Sequence, residues 1–250
     1  MTTPTLSLVT ICWNAAKTLP KTLDTVLAQT ILPNEYLFVD GGSTDGTLEL
    51  LEQYRPRFAE RGCAIQVIPQ RRIPGEAGIP SAWNQAISLA KGEIVALLNA
   101  DDWYEPDTLA TVLEAFAPEV DAVSSPVAMH AENSADDWLF TPQPLAKLPW
   151  KMAVPHPGTF FRKSVYDRIG LYDTHYRISA DYDFVWRCHK ARLHWKYLTE
   201  RPLVNMQLGG LANSSRALAR HETYRIARSH SAWYDLRPLM AFLGRTITGR

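Results

Sequence analysis

The chain has 250 residues, of which 46% are hydrophobic and 21% are charged, and its formal net charge at pH 7 is zero. This length suits one large α/β domain, or one domain followed by a tail. A neutral chain of ordinary composition has no overall positive field, which excludes binding to nucleic acid through net charge.

The sequence has neither a long apolar stretch nor the cysteine pattern of a secreted protein. No 18 apolar residues occur in a row, and MTTPTLSLVTICWN at the start lacks a basic region ahead of a long apolar one. Cys12, Cys63 and Cys188 are widely spaced and form no Cys-x-x-Cys motif, which is typical of reduced thiols in a core. We therefore expect a cytoplasmic protein without a membrane span.

The first half of the chain alternates strands with helices. β-Rich apolar runs predict strands, and apolar residues at helical spacing predict helices. The predicted strands are 6–11, 36–40, 64–69 and 93–98, and the predicted helices are 17–30, 47–54, 80–91 and 107–116. This alternation indicates an α/β fold with a mostly parallel sheet and helices on both faces. Ligands bind such sheets beyond the carboxyl ends of the strands, so the polar residues that follow each strand are candidates.

The second half of the chain is less regular. Residues 131–157 are rich in proline and tryptophan, which predicts a long ordered loop of a kind that is often functional. The stretches GTFF and HWKYL predict strands, and residues 183–191 predict a short helix.

The turn after the second predicted strand, DGGSTDGT at residues 40–47, allows two interpretations. It lacks the closing glutamate of an EF-hand loop and the Gly-Lys-Ser/Thr of a P-loop. It can be a Gly-rich turn in which Ser43, Thr44 or Asp45 caps the next helix. Alternatively, Asp40 accepts hydrogen bonds from a nucleotide base or ribose, while the glycines let the backbone approach the ligand.

The segment LLNADDWYEP, residues 97–106, places acidic side chains at the end of the fourth predicted strand. Asp101 and Asp102 supply hard oxygen ligands that suit Mg²⁺ or Mn²⁺, with positions left for water and substrate phosphates. In the alternative interpretation, Asp102 or Asp107 only caps the helix that Pro106 begins. Taken alone, the segment favours neither interpretation.

Two further clusters carry candidate catalytic groups. In ISADYDFVWR, residues 178–187, Asp181 and Asp183 stand two apart near a helix start, so one can cap the helix while the other faces a cleft. A carboxylate in a cleft can act as general base on a hydroxyl. In HPGTFFRK, residues 156–163, the candidate is His156, although a lone histidine is more often a structural hydrogen-bonding group.

The C-terminal segment carries a local excess of positive charge. From Arg216 onward there are seven arginines and two acids, which leaves an excess of five charges, and large apolar residues are interleaved with them. We expect a catalytic domain at residues 1–212 and a basic helical tail at residues 213–250. The tail is either an amphipathic segment on an anionic membrane surface or a helix packed on its own domain.

Five stretches of the chain, taken together and in order, resemble the inverting nucleotide-sugar glycosyltransferases of family two, which have the GT-A fold. They are VTICWN, VDGGSTDGT, GEAGIPSAWNQAISLAKGEIVALLNADD, HPGTFFRKSVYDRIGLYD and SADYDF. They lie across residues 9–184, about 70% of the chain. One such motif is unspecific, whereas five at family-like spacing are specific. The resemblance implies a Rossmann-like GT-A sheet.

The resemblance also implies which residues bind the donor. Thr10, Asn14 and Asp40 would contact the base and ribose of the nucleotide. The loop 70–78, which begins at Gln70, and Asn84 would line the donor pocket.

The family's D-x-D element matches Asn99-Ala100-Asp101. The resemblance implies that Asn99 and Asp101 face the nucleotide sugar, and that Asp101, with Asp102 beside it, binds the metal. Asn99 departs from the family pattern and removes one negative charge. Asp181 matches the family's general base.

The resemblance implies less specific roles for three further positions. His156 and the Gly209-Gly210 region would border the acceptor and the phosphates. Asp183 is assigned to the same side.

The resulting expectation is a metal-assisted single displacement. A sugar would move from a nucleoside diphosphate sugar, preferably a UDP-sugar, to a hydroxyl of a glycan or lipid-linked acceptor in polysaccharide assembly. Mg²⁺ or Mn²⁺ would be the cofactor, and the tail would place the enzyme on the inner face of the membrane. The alternatives are a nucleotidyltransferase, for which a Gly-rich basic loop should follow the first strand, and a relative that binds without turnover.

Overall fold

A computed structural model of the chain describes residues 3–131, 133–209 and 215–248, the last three of these without their side chains. The strands are β1 Leu6–Cys12, β2 Glu35–Asp40, β3 Ala64–Pro69, β4 Ile94–Leu97, β5 Trp103–Tyr104, β6 Ala122–Ser124, β7 Val127–His130, β8 Trp138–Phe140, β9 Thr159–Arg162, β10 Trp195–Tyr197 and β11 Val204–Gln207. The helices are α1 Leu19–Leu27, α2 Thr47–Glu60, α3 Gly78–Leu89, α4 Thr108–Ala115, α5 Lys163–Ile169, α6 Ala180–Lys190, α7 Arg216–His230 and α8 Arg237–Thr248. Within the described ranges, no helix is long and apolar enough to cross a membrane.

Two sheets organise the strands. The larger has the order β10-β6-β9-β4-β1-β2-β3, and the smaller has the order β5-β11-β7-β8. In the larger sheet β1 pairs in parallel with β2 and β4, and β2 pairs in parallel with β3, whereas β9 is antiparallel to both of its neighbours. The predicted mostly parallel α/β sheet is therefore confirmed.

The register brings the strand ends to one edge. Cys12 is level with Asp40, and Asp40 is level with Pro69. The polar residues that follow β1, β2 and β3 therefore meet at the carboxyl edge of the sheet, where the sequence placed the candidate site.

Helices cover both faces of the larger sheet. On β1, Leu8 packs into one core with α1, α2 and α4, while its neighbour Val9 packs into a second core with α3, α5 and α6. Adjacent strand residues point to opposite faces, so a strand with both faces covered is predominantly apolar along its length.

Some elements differ from the sequence prediction. Residues 131–157 are not one irregular loop, because Trp138–Phe140 pairs with β7 as β8. Helix α2 continues past Tyr54 and through Pro56 to Glu60, since Leu51, Tyr54 and Phe58 are buried along it. Helix α6 begins at Ala180, three residues earlier than predicted, so Asp181 lies in its first turn.

The first helix of the tail belongs to the core. Ile226 and Ala227 of α7 are buried together with Tyr182 and Val185 of α6. The packed-helix interpretation therefore applies to α7. The predicted boundary between residues 212 and 213 lies outside the described residues.

Candidate functional site

A cavity of about 1020 Å³ opens at the carboxyl edge of the larger sheet. Its walls come from the ends of β1 and β2, the loop after β3, the start of α3 and the segment before α6. The lining residues are Ile11, Cys12, Trp13, Val39, Gly41, Gln70, Arg72, Ile73, Pro74, Glu76, Gly78, Ile79, Ser81, Ala82, Arg177 and Gly209. Gly210, assigned to the phosphate side with Gly209, lies outside the described residues.

Asp40 organises the turn that follows β2. One carboxylate oxygen accepts hydrogen bonds from the backbone N–H groups of Gly42 and Ser43 at 2.9 and 3.0 Å, and the other accepts from the Ser43 hydroxyl at 2.6 Å. Gly42 has φ +90°, a backbone conformation that favours glycine. The side chain of Asp40 is buried, so it shapes the edge of the cavity.

The turn after β1 is bonded to the turn after β2. Asn14, in a left-handed conformation with φ +50°, accepts from the Thr44 N–H at 2.9 Å, and its own N–H donates to the Ser43 hydroxyl at 2.8 Å. Asp45 accepts from the N–H of Thr47 at the start of α2 at 3.1 Å. Asp45 thus serves the helix start, and Asn14 and Asp40 hold the two turns at fixed positions beside the cavity.

An aromatic wall of the cavity was missed by the sequence analysis. Trp13 is 66% exposed and lies against Gly41, where an added Cβ would come within 3.2 Å of the Trp13 Cβ. Gln70 donates to the Gly78 carbonyl at 2.6 Å, and Arg72 donates to the Gly41 carbonyl at 2.7 Å. An exposed tryptophan directly after a buried strand is the signal that could have identified Trp13.

Of the predicted donor-binding side chains, Gln70 lines the cavity, whereas Thr10, Asn14, Asp40, Asn84, Asn99 and Asp101 do not. Two of these six, Thr10 and Asn84, are bonded within the fold. Thr10 is fully buried, and its hydroxyl bonds to the Tyr36 hydroxyl at 2.9 Å and to the Leu98 carbonyl at 2.7 Å. Asn84 donates to the Tyr172 carbonyl at 2.8 Å and accepts from the Tyr172 N–H at 2.9 Å. Both side chains form hydrogen bonds within the protein. The prediction that Thr10 and Asn84 bind the donor is therefore corrected, and both residues have structural roles.

The acids after β4 divide into one buried and one accessible carboxylate. Asp102 is 1% exposed and accepts from the Asn99 side-chain amide at 2.9 Å and from the Gln207 N–H of β11 at 3.2 Å. Burial, followed by the charge of Asp101, raises the pKa of Asp102 to about 8. Asp101 is half-buried and accepts no hydrogen bond from another described residue. Burial raises its pKa as well.

Asp107 occupies the N-cap position of α4, but neither of the two acids caps a helix with its side chain. Asp102 bonds to Asn99 and β11, and Asp107 makes no side-chain bond to the start of α4 but pairs with Arg201. The capping interpretation of this segment is therefore wrong.

The residues of this segment fit a hard divalent cation with few protein ligands. Each oxygen of Asp102 already accepts one hydrogen bond, so the candidate donors are the Asp101 carboxylate and the amide oxygen of Asn99. In the described ranges no three His, Cys, Asp or Glu side chains group together as a metal site. Mg²⁺ and Mn²⁺ accept one or two protein oxygens when water and phosphates complete the coordination. Within the part of the chain that the structure describes, Asp101 has no cationic partner, and a half-buried carboxylate of this kind suits such an ion.

Asp181 has the environment of a general base. It lies half-buried in the first turn of α6, where one oxygen accepts from the Tyr182 N–H at 2.8 Å. Burial raises the pKa of this carboxyl to about 6. A carboxylate whose pKa approaches neutrality binds a proton from a hydroxyl better than an ordinary aspartate does.

Asp183 and His156 have structural partners. Asp183 is buried and accepts from Arg187 at 2.8 Å, and it lies 2.9 Å from the ring Nε2 of His230 on α7. Burial alone would raise the pKa of Asp183, but the bonds from His230 and Arg187 lower it overall. Asp183 therefore joins two helices and does not face an acceptor.

His156 lies in an aromatic cluster. Its ring packs on Trp83 at 4.8 Å between centroids, and its Nε2 lies 2.9 Å from the Tyr172 hydroxyl. Burial lowers the pKa of His156 to about 4, so its ring is neutral at pH 7.

The segment before α6 connects Asp181 to the cavity. Arg177 lines the cavity, and the N–H groups of residues 177–179 donate to the carboxylate of Glu222 on α7. Arg177 and Glu222 could not be identified from the sequence, because no local pattern marks a contact between residues 45 positions apart.

Comparison with known proteins identifies the family. The protein-family model described as Glycosyl transferase family 2 matches residues 7–176 of this chain. A PGL/p-HBAD biosynthesis glycosyltransferase from Mycobacterium bovis is 34% identical over 219 residues, which cover 86% of this chain and 81% of the relative.

Two solved structures have a similar fold. S. aureus TarS 1-349 in complex with UDP-GlcNAc has a TM-score of 0.68 at 20% identity, over 90% of this chain and 65% of that one. The chain spans 44% of the longer TarS structure. The mannosyltransferase PcManGT from Pyrobaculum calidifontis, in complex with GDP-Man and Mn²⁺, has a TM-score of 0.66 at 18% identity, over 99% of this chain and 76% of that one.

These similarities confirm the GT-A class of fold and favour a glycosyltransferase over a nucleotidyltransferase or a protein that binds without turnover. The chain belongs to glycosyl transferase family 2 and is an enzyme, a glycosyltransferase.

Proposed function

We propose that this enzyme transfers a sugar from a nucleoside diphosphate sugar to a hydroxyl group of a glycan or lipid-linked acceptor, with inversion at the anomeric carbon. The observation that carries the proposal is the position of Asp181. It lies in the first turn of α6, four residues after Arg177, which lines the cavity at the sheet edge. The two similar structures hold UDP-GlcNAc and GDP-Man, which supports a donor of this class, and we keep UDP-sugars as the preferred donors.

The cavity would hold the nucleotide. Trp13 offers an exposed aromatic face on which a base can stack. The turns held by Asn14 and Asp40 would lie along the ribose, and Gln70 with Arg72 would close the other side. Asn99 and Asp101, which follow β4 beside β1, would lie toward the diphosphate.

The chemistry is a single displacement. Asp181 accepts the proton of the acceptor hydroxyl. At the same time the oxygen of that hydroxyl forms a bond to the anomeric carbon, from the face opposite the diphosphate. The bond from the anomeric carbon to the diphosphate oxygen breaks, and its electron pair leaves with the nucleoside diphosphate. Asp101, assisted by Asn99, would hold Mg²⁺ or Mn²⁺, which would stabilise the charge on that leaving group. PcManGT with bound Mn²⁺ supports this metal.

A thermal-shift screen tests the donor and the metal together. A donor that binds the folded state raises the melting temperature, so UDP-GlcNAc or GDP-mannose with Mn²⁺ should shift it by several degrees. The anomeric configuration of the product, read by NMR, should be opposite to that of the donor. Retention of configuration would overturn the mechanism, and full activity in EDTA would remove Asp101 from it.

We also propose that the C-terminal tail contacts an anionic membrane surface. Leu236, Leu239, Met240 and Leu243 are exposed at the spacing of one helix face, here called the tail face. Trp233 and Tyr234, 83% and 72% exposed, stand directly before it. The tail's excess of arginine over acidic residues complements anionic lipid headgroups. Such contact would place the enzyme on the inner face of the membrane, near a lipid-linked acceptor.

A further inference from the structure

The carboxylate of Glu222 binds three consecutive backbone N–H groups. Glu222 is 5% exposed and accepts from Arg177 at 2.8 Å and from Ile178 and Ser179 at 2.9 Å each. These donors form the segment that directly precedes α6. No lysine or arginine of the described chain forms an ion pair with Glu222, so backbone N–H groups hold its carboxylate.

These bonds fix the approach to the helix that carries Asp181. The first N–H groups at a helix start have no partner within the helix, and Ser179 makes no side-chain cap for α6. The Ser179 hydroxyl turns toward α7 instead, 3.4 Å from both the Ala219 carbonyl and the Thr223 hydroxyl. The backbone ahead of Asp181 is therefore held by α7.

A second contact along the same face of α7 fixes α6 further on. His230 lies 2.9 Å from Asp183, and its ring stacks on Trp186 at 5.5 Å with 8° between the planes. Ile226, fully buried, lies between Glu222 and His230 on this face. Helix α7 is thus joined to the first turn of α6 and to the turn that follows.

We infer that Glu222 is a positioning residue, which holds residues 177–179 so that Asp181 faces the acceptor hydroxyl and Arg177 faces the cavity. This inference rests on the proposed role of Asp181 as base. Small displacements of a reacting group cost large factors in rate, so a tail residue that never touches substrate would control turnover. Among the described residues, the titratable groups that act on Asp181 are Glu222 on α7 and the Tyr172 hydroxyl.

The test compares Glu222→Gln with Ile226→Ala, a control that loosens α7 without touching residues 177–179. We expect Glu222→Gln to lower kcat at least about tenfold with donor KM changed less than about threefold. The acid limb of its rate profile should move to lower pH, because Glu222 contributes to the raised pKa of Asp181. Ile226→Ala should melt earlier but keep the wild-type pH profile. Turnover is read as nucleoside diphosphate release from UDP-GlcNAc or GDP-mannose.

Amide hydrogen exchange gives a readout that needs no substrate. In the wild type, the N–H groups of residues 177–179 should exchange slowly, and Glu222→Gln should release them. If Glu222→Gln does not fold, the exchange of these N–H groups is compared between the wild type and Glu222→Asp, whose shorter side chain should also speed up their exchange. Fast exchange at these positions in the wild type would overturn the inference.

The two proposals fail separately. If Asp181→Asn is inactive while folded Glu222→Gln retains its full rate, the base stands and the positioning role is wrong. If Asp181→Asn retains its full rate, the base is wrong, and the positioning role falls with it. An Ile226→Ala variant that reproduces the full kinetic change would assign the effect to loosened packing and also overturn the inference.

Discussion

The side-chain amide of Asn99 donates a hydrogen bond to the Asp102 carboxylate across 2.9 Å. The D-x-D pattern of the family has an acid at this position. This chain instead has the Asn99 amide, which donates a hydrogen bond to the nearby Asp102 carboxylate. Asp102 is turned toward β11, and Asp101 is left as the accessible acid of the segment. Under the proposed metal site, the departure from the D-x-D pattern would therefore make Asp101 the metal ligand.

Asn99→Asp tests this relationship. The new carboxylate would face Asp102 without a donor between them, so the metal-free protein should lose about 1 to 3 kcal/mol of stability by repulsion and the lost bond. Mn²⁺ should restore more of the melting temperature in the variant than in the wild type. Gln53→Glu, which adds a charge to an exposed site on α2, is the control. Equal Mn²⁺ shifts in variant and wild type would contradict the assignment of the metal to this segment.

The buried carboxyl of Asp102 should make metal-free stability depend on pH. Its pKa is raised in the folded state to about 8, above the ordinary value of 3.8. The folded protein therefore binds this proton more tightly than the unfolded chain, and the free energy of unfolding should fall as pH rises from about 4 to about 8. Asp102→Asn should flatten this slope in urea unfolding curves measured at several pH values. A slope unchanged in the variant would show that Asp102 is not its source.

Asp181→Asn should remove the general base. We expect kcat to fall by about 10² to 10⁴ while the donor still binds, because the amide cannot accept the hydroxyl proton. In the wild type, the rate should rise through about pH 6 as Asp181 loses its proton. Asp173→Asn, at a more exposed acid before the same helix, should leave kcat within about twofold of the wild type. An unchanged rate in Asp181→Asn would exclude this base.

Trp13→Ala should weaken donor binding. Loss of a stacking face costs about 1 to 3 kcal/mol, which corresponds to a rise of about 5- to 150-fold in donor KM. The matched control is Trp138→Ala, since Trp138 is 50% exposed on β8 and does not line the cavity. Isothermal titration with UDP and GDP measures the effect without turnover. Equal affinity of Trp13→Ala and the wild type for UDP and GDP would show that the nucleotide base does not stack on Trp13.

Removing the apolar groups of the tail face should weaken lipid binding. The triple variant Leu236→Ser, Leu239→Ser and Met240→Ser should lose at least about tenfold in affinity for anionic vesicles, because each buried CH₂ contributes about 0.8 kcal/mol. Vesicle sedimentation with and without anionic lipid measures this.

The control for the tail face is the pair Trp138→Ser and Leu139→Ser, which removes apolar groups of similar exposure from β8. That pair should bind vesicles as the wild type does. A wild-type chain that fails to bind anionic vesicles would exclude the membrane contact.

Much of the fold and part of the site follow from local sequence patterns. Strands 6–12 and 35–40 are mostly apolar, are buried on both faces and end in polar turns, so their pairing in a parallel sheet was predictable. Asp181 was predicted as the base from its motif, and this assignment stays a prediction; burial raises its pKa. Trp13 was predictable in principle, since it follows a buried strand directly.

The partners of the polar side chains were not predictable, because they come from distant parts of the chain. Asp102 accepts from Gln207, 105 positions away, and Asp183 meets His230, 47 positions away. Whether an aspartate is free to bind a ligand or forms a structural hydrogen bond depends on which N–H group or ring nitrogen lies next to it in the fold. The residues next to an aspartate in the sequence do not indicate which distant group will contact it.

The sequence by itself therefore determined the order of most strands and helices and the candidate edge of the sheet, and it marked Asp181 as a candidate, since each depends on residues that are close in the chain. The tertiary structure decided that Thr10, Asn84 and Asp183 serve the fold, and that Glu222 of the tail holds the approach to α6. Buried polar groups must find partners wherever packing places them, and packing joins residues far apart in sequence.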